Sequence, residues 1–208
     1  MILALSALLA GAGFGIYGPT IVLHALELGA PEAMATAMVM AFPSILMLII
    51  LLPIGIIADK TGRRKEIVLI GLLLGIIFNA LLATARSWVE LAIYRTIGGV
   101  VFAFTSLYMV MGILITPEKI RGTALGVLGG SIMLGMGVSQ IFAGSILSYV
   151  GGYSGLYLLA ALLTLVALLL LLPVKVPRVQ FPAMKGSDLA AAFKAGGCTG
   201  QLYLYAYT

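Results

Sequence analysis

The chain has 208 residues, 62% of them hydrophobic and only 9% charged, with a formal net charge of +5 and a mean hydropathy of +1.19. A soluble globular domain carries roughly 25% charged residues and about half apolar ones, so this composition excludes water as the main solvent and points to the lipid bilayer. One cysteine, Cys198, and one histidine, His24, exclude an internal disulfide and a cysteine-based metal cluster; the positive charge needs no nucleic acid, because membrane proteins collect Lys and Arg on their cytoplasmic side.

Crossing about 30 Å of hydrocarbon at 1.5 Å per residue takes about 20 apolar residues, and helices satisfy their own backbone groups there. The sequence predicts six such helices. The first run, 2–24, begins at Met1 but is too long for a cleaved signal peptide and has no basic segment before it. Gly29-Ala30-Pro31-Glu32 separates it from the second run, 34–57. A dense basic turn follows, in which Gly62 permits a tight reversal and Arg63, Arg64 and Lys65 place charge at the lipid headgroups. The third run covers 67–85, and Arg86-Ser87-Trp88 leads into the fourth, 89–115. Thr116-Pro117-Glu118-Lys119 precedes the fifth, 122–149, and Gly151-Gly152-Tyr153 the sixth, 154–173. Pro173, Pro177 and Pro182 then end the sixth helix, so a bundle over 1–173 is followed by a polar tail over 174–208.

Orientation follows from the basic residues. Lys60, Arg63, Arg64, Lys65, Lys119, Arg121, Lys175, Arg178, Lys185 and Lys194 fall on one side of the six-span arrangement, with Arg86 alone among basic loop residues on the other. Both termini are therefore expected in the cytoplasm, with the chain crossing the cell membrane.

Within the fourth run, Arg95 lies about seven residues past the interfacial Trp88, or roughly 10 Å into the bilayer. A lipid-exposed Arg near the middle costs about 2.5–3.5 kcal/mol on insertion scales, so Arg95 is expected to face protein or a water-filled cavity, or to snorkel outward. Helical spacing puts Gly99, Phe102 and Ser106 on its side. Tyr17 and Gln140 come out at similar depth, about 22–27 Å from the cytoplasmic side, and complete a polar layer that either binds solute or only joins helices. In the fifth run, Gly126 and Gly130 and then Gly135, Ser139, Ala143 and Gly144 recur at spacings near four and predict close helix packing. Enzyme chemistry is not expected: Ser131 has no base near it in sequence, and the glycines around it lack the Lys-Ser/Thr ending of a phosphate loop.

The stretch GIIADKTGRRKEI, with Gly55, Ile57, Ala58, Asp59, Lys60, Gly62, Arg63, Arg64 and Ile67, resembles almost position for position the loop between the second and third helices of major facilitator superfamily transporters. PEKIRGTALG, with Glu118 and Arg121, resembles the family's loop before the fifth helix. Leu91, Arg95, Gly99 and Ala103 match its fourth-helix motif, although Gly98 replaces the usual Gln and Val101 a Gly. Ser139 and Gln140 stand where the antiporters carry Gly-Pro, which leaves symport, uniport and antiport open.

The resemblance implies an all-α polytopic membrane protein whose six helices form the family's N-terminal bundle of 3+3 inverted repeats. GIIADKTG and GSILSYVG share two Gly and an Ile at equal offsets, as such a repeat would. It implies a latch between the halves carried by Asp59 and Arg63 in the loop of Gly55, Lys60, Gly62 and Arg64, with Asp59 facing a helix of the other half and the basic residues pairing with acids near the fourth and fifth helices, for which Glu118 and Arg121 are the candidates in this chain. It also implies a small-molecule solute moved by rocking one half against the other, a proton or solute gradient as the driving force, and no cofactor. It places the third helix outside the bundle, so Asn79 reads as structural. Family members have twelve spans. The length then fits a truncated or split reading frame ending in LYLYAYT, or a half that pairs with itself or with a separate second half, or an unrelated six-helix protein. The competing function is a membrane scaffold or inactive remnant.

Overall fold

The computed structural model describes residues 1–180; Cys198, Pro182, Lys185, Lys194 and LYLYAYT lie outside the described residues. The regular structure is entirely helical among those described, and six helices are long and apolar enough to cross a membrane.

The first, α1 (Ile2–Glu27), is interrupted between Gly15 and Thr20. Pro19 has no N–H to give, and the chain tightens there, with Gly18 N–H donating to Gly15 O at 2.9 Å and Thr20 N–H to Tyr17 O at 3.1 Å. A short helix, Glu32–Thr36, and a π-helical turn, Ala37–Ala41, lead into α2 (Phe42–Thr61). Gly62 closes α2 in the left-handed conformation at φ +65°, its N–H reaching Ala58 O at 2.9 Å. An L-residue there would clash with its own carbonyl, which is why the turn needs glycine. Asp59 thus sits inside the last turn of α2 rather than beyond it, as the sequence run suggests. Next come α3 (Arg64–Thr84) and α4 (Trp88–Ile115), the latter capped by Ser87, whose Oγ accepts from Glu90 N at 3.3 Å. After a 3₁₀ turn, Glu118–Ile120, α5 (Arg121–Tyr149) and α6 (Tyr153–Leu171) complete the bundle.

In this bundle α1 runs along α5 and α6, α3 packs on α6 and α4, and α2 on α4. The α1–α5 crossing is made by small residues. A Cβ on Gly15 would stand 2.6 Å from Met136 Cα, one on Gly11 would strike the backbone of Ile132, and one on Gly135 the backbone of Leu8. Ser139 and Ala143 continue the same buried face.

Gly126, Gly130 and Gly144 depart from the single packing stripe read from the sequence: a Cβ at any of them would meet nothing within 4 Å. At about 100° per residue, the five-residue step from Gly130 to Gly135 swings the stripe to the opposite side of the helix. The helix therefore has two small-residue faces. Gly135, Ser139 and Ala143 meet α1, whereas Gly122, Gly126, Gly130, Gly137 and Gly144 lie on the uncovered side.

A buried hydrogen-bonded group ties three helices. Ser6 Oγ donates to Ala167 O at 2.7 Å and lies 2.8 Å from the Tyr108 hydroxyl, which must then be the donor in that pair. Tyr108→Phe removes that bond with no change of shape. It is expected to cost about 0.5–1.5 kcal/mol, seen as a lower unfolding midpoint in detergent; an unchanged midpoint contradicts the assignment.

Candidate functional sites

At the α2–α3 turn, Arg64 is the buried residue, 1% exposed. One guanidinium nitrogen donates to Asp59 Oδ1 at 2.7 Å and another to Val179 O at 2.5 Å. Of the basic residues that the resemblance assigns to the latch, Arg63 holds the N-cap position of α3 with its side chain exposed, while Arg64, the first helical residue, turns back beneath the loop. Asp59 keeps 51% of its side chain exposed. Gly55, one turn earlier, has open space where a Cβ would stand, and Lys60 is exposed. Glu118 and Arg121 pair with each other at 3.7 Å and, among the described residues, make no ion pair with this loop.

The segment after α6 folds back over the same turn. Lys65 Nζ donates to Leu172 O at 2.7 Å, and Arg178 meets Glu66 at 2.6 Å. Arg64→Gln, which weakens both the Asp59 pair and the Val179 bond, is expected to destabilise by about 1.5–3 kcal/mol, while Arg63→Gln stays within about 0.5 kcal/mol. Thermal unfolding of the two variants side by side checks this ranking; equal losses would refute it.

In the middle of the bundle, Arg95 on α4 reaches Tyr17 on α1. Its Nη1 donates to the Tyr17 hydroxyl at 3.3 Å, and its guanidinium carbon lies 5.4 Å from the Tyr17 ring centre. Tyr17 is 2% exposed, Arg95 half-buried. The interruption of α1 at Pro19 lies two residues beyond this tyrosine.

The rest of the expected polar layer divides. Gly99 is buried against α2, where a Cβ would stand 2.6 Å from Pro43 Cα, and its lack of a side chain lets the two helices cross. Phe102 packs on Phe14 with ring centres 4.6 Å apart, and Ser106, exposed, returns its hydroxyl to Ala103 O at 2.7 Å. Gln140 is exposed on α5, its amide nitrogen 3.4 Å from where a Cβ on Gly18 would be. Ser131 Oγ is bonded to Val127 O at 2.7 Å.

Several neighbours of Arg95 escape a reading by depth and spacing. Asn79 on α3 is 2% exposed and lines, with Phe14, Tyr17, Tyr94 and Arg95, a cavity of about 10 Å³. Its Nδ2 has no hydrogen-bond partner among the described residues. Beyond Tyr17, the Tyr157 ring stands edge-on at 5.5 Å, and the Tyr157 hydroxyl lies 3.0 Å from His24 Nδ1. His24 stacks on Tyr153 at 4.4 Å, and Tyr153 donates to Glu27 Oε1 at 2.7 Å. The available signal was the four-residue spacing of Tyr153 and Tyr157, which puts both on one face of α6. A line of polar and aromatic side chains thus connects the exposed Glu27 at the end of α1 with Arg95 in the interior.

The family model of the Major Facilitator Superfamily matches residues 3–204. Citrate exporter 1 of Aspergillus niger is 33% identical over 124 residues, which cover 57% of this chain and 23% of that protein. Among solved structures, a bacterial homologue of the human lysosomal transporter Spinster, in an inward-facing unoccupied conformation, superposes with a TM-score of 0.74 at 19% identity, over 94% of this chain and 48% of that one. The human organic anion transporter MFSD10 (TETRAN) gives 0.64 at 19% identity, over 82% and 45%. A D-xylose–proton symporter gives 0.63 at 16% identity, over 98% and 53%. The chain spans about half the length of these solved proteins.

Proposed function

Because the chain belongs to the major facilitator superfamily, a family of multi-pass membrane proteins, we propose that it is the N-terminal six-helix half of a secondary transporter that moves a small organic anion by alternating access. Membership points to a transporter rather than an enzyme. The observation that carries the substrate class is the half-buried Arg95, held against Tyr17 within the membrane span. A cation kept there at an insertion cost of about 2.5–3.5 kcal/mol suits a carboxylate better than a neutral sugar. The similarity to a protein named as a citrate exporter agrees with that chemistry.

A second six-helix half, in a longer polypeptide or in another chain, supplies the facing wall. The uncovered glycine face of α5 and the apolar outer face of α2, with Leu48, Ile49 and Leu52 exposed, are where it would dock. At the α2–α3 turn, Arg64 holds Asp59 while leaving half of that side chain open to a helix of the other half, and breaking this contact accompanies rocking. The positive charge at this end supports a cytoplasmic position for it and for both termini, and the membrane in this reading is the plasma membrane. A proton or solute gradient drives the cycle, and the Glu27–Tyr153–His24–Tyr157 line offers protonatable groups toward Arg95.

The test is counterflow. Vesicles carrying the assembly purified from native membranes and preloaded with citrate should accumulate labelled citrate well above protein-free vesicles. Absence of exchange for citrate and for other di- and tricarboxylates would reject the anion reading.

A further inference from the structure

The α2–α3 turn and the returning segment after α6 enclose a second feature, an open cleft of about 540 Å³ lined by Lys60, Thr61, Arg63, Arg178 and Gln180. Three cations from two stretches of chain more than a hundred residues apart converge on it. Their counter-charges are few. Glu66 answers Arg178 at 2.6 Å, Asp59 is turned to Arg64, and no ion pair among the described residues holds Lys60 or Arg63. The cleft therefore keeps about two uncompensated positive charges. A phosphomonoester carries close to two negative charges near neutral pH, and guanidinium forks suit its oxygens.

Position argues for where the phosphate comes from. The cleft lies where α2 ends and α3 begins, at headgroup level for a membrane helix. Directly below it on α3, Arg63, Glu66, Ile70, Leu73 and Ile77 follow one another at steps of three and four and share a face. Ile70, Leu73 and Ile77 are exposed and apolar, so an acyl chain can lie along α3 beneath a headgroup held by Arg63. Basic pockets at the cytoplasmic ends of membrane helices recognise anionic lipid in this way.

We infer that this cleft binds the phosphate of a phosphomonoester lipid, phosphatidic acid in its simplest form, and that the bound headgroup joins the loop cations Lys60 and Arg63 to Arg178 of the segment after α6. Its physiological meaning rests on the cytoplasmic placement proposed above, but the binding does not.

The full chain in detergent, titrated with short-chain phosphatidic acid, short-chain phosphatidylcholine and inorganic phosphate, with bound ligand counted by native mass spectrometry, decides the matter. Phosphatidic acid should bind at least about tenfold more tightly than phosphatidylcholine. Lys60→Gln with Arg63→Gln, which leaves the Arg178–Glu66 pair intact, should weaken it on the order of tenfold, at two- to fivefold for each exposed charge. Lys175→Gln, on the same segment as Arg178 but outside the cleft, should leave it unchanged. Equal binding of the two lipids, or an equal loss from Lys175→Gln, overturns the site. Inorganic phosphate binding as tightly as phosphatidic acid overturns the lipid as source. Labelling of an Arg63→Cys chain from outside intact cells would defeat the orientation and leave these affinities untouched.

Discussion

Arg95→Ala is expected to lower solute flux by about ten- to a hundredfold while leaving membrane insertion and the detergent-purified yield unchanged. A charge-assisted hydrogen bond to the guanidinium is worth about 1.5–3 kcal/mol, and each 1.4 kcal/mol is a factor of ten in an equilibrium constant. Insertion should not suffer, because removing a cation from the membrane span relieves an unfavourable burial. Arg95→Lys keeps the charge but loses the planar fork and the stacking on Tyr17, so it should recover part of the flux. Tyr17→Phe deletes the hydroxyl that accepts from Nη1 at 3.3 Å and should fall between the two. The measurement is labelled-citrate exchange by the reconstituted assembly, normalised to inserted protein. A membrane scaffold would be indifferent to all three, so flux that survives Arg95→Ala would withdraw the transport role from this residue.

The second large effect concerns α5. Gly135→Leu is expected to prevent assembly of the bundle, because the first added carbon would already strike the backbone of Leu8 on α1. Backbone cannot step aside as a side chain can. Relief requires α1 and α5 to separate along the crossing that Gly11 and Gly15 also form, and overpacking on that scale costs about 3 kcal/mol or more. Gly130→Leu, five residues earlier, has open space and should leave the unfolding midpoint of the six-helix unit within about 0.5 kcal/mol. If the outer glycine face receives a second half, Gly130→Leu should still abolish co-purification of that partner and with it the flux. Comparing unfolding and co-purification for the pair separates intrabundle packing from docking. A normal bundle from Gly135→Leu would overturn the packing, and full co-purification with Gly130→Leu the docking face.

Much of the architecture was legible from residue order. Six apolar runs needed only the bilayer thickness and the helical rise to become six spans, and the expected breaks at Gly62, Ser87 and Gly151-Gly152 fall at helix ends. The resemblance of GIIADKTGRRKEI to a family loop agrees with the match to that family's model over residues 3–204. Pairing was less legible. Whether Arg63 or Arg64 meets Asp59 depends on which of two adjacent residues begins α3, and composition is blind to a one-residue difference in helix phase. Depth arguments rank residues by height but not by azimuth, which is why Gln140 and Tyr17 shared a predicted layer although Gln140 is exposed on α5 and Tyr17 is buried against Arg95.

By itself, then, the order of residues determined the solvent, the number of spans among the described residues and which end carries the positive charge, because these depend on sums along the chain: apolar length, helical rise and charge count. Tertiary structure alone decided which face of α5 meets α1, that Asn79 and the His24–Tyr157 pair belong to the surroundings of Arg95, and that the segment after α6 returns to Arg64. Those depend on rotation about helix axes and on contacts between residues far apart in sequence, and no local pattern encodes either.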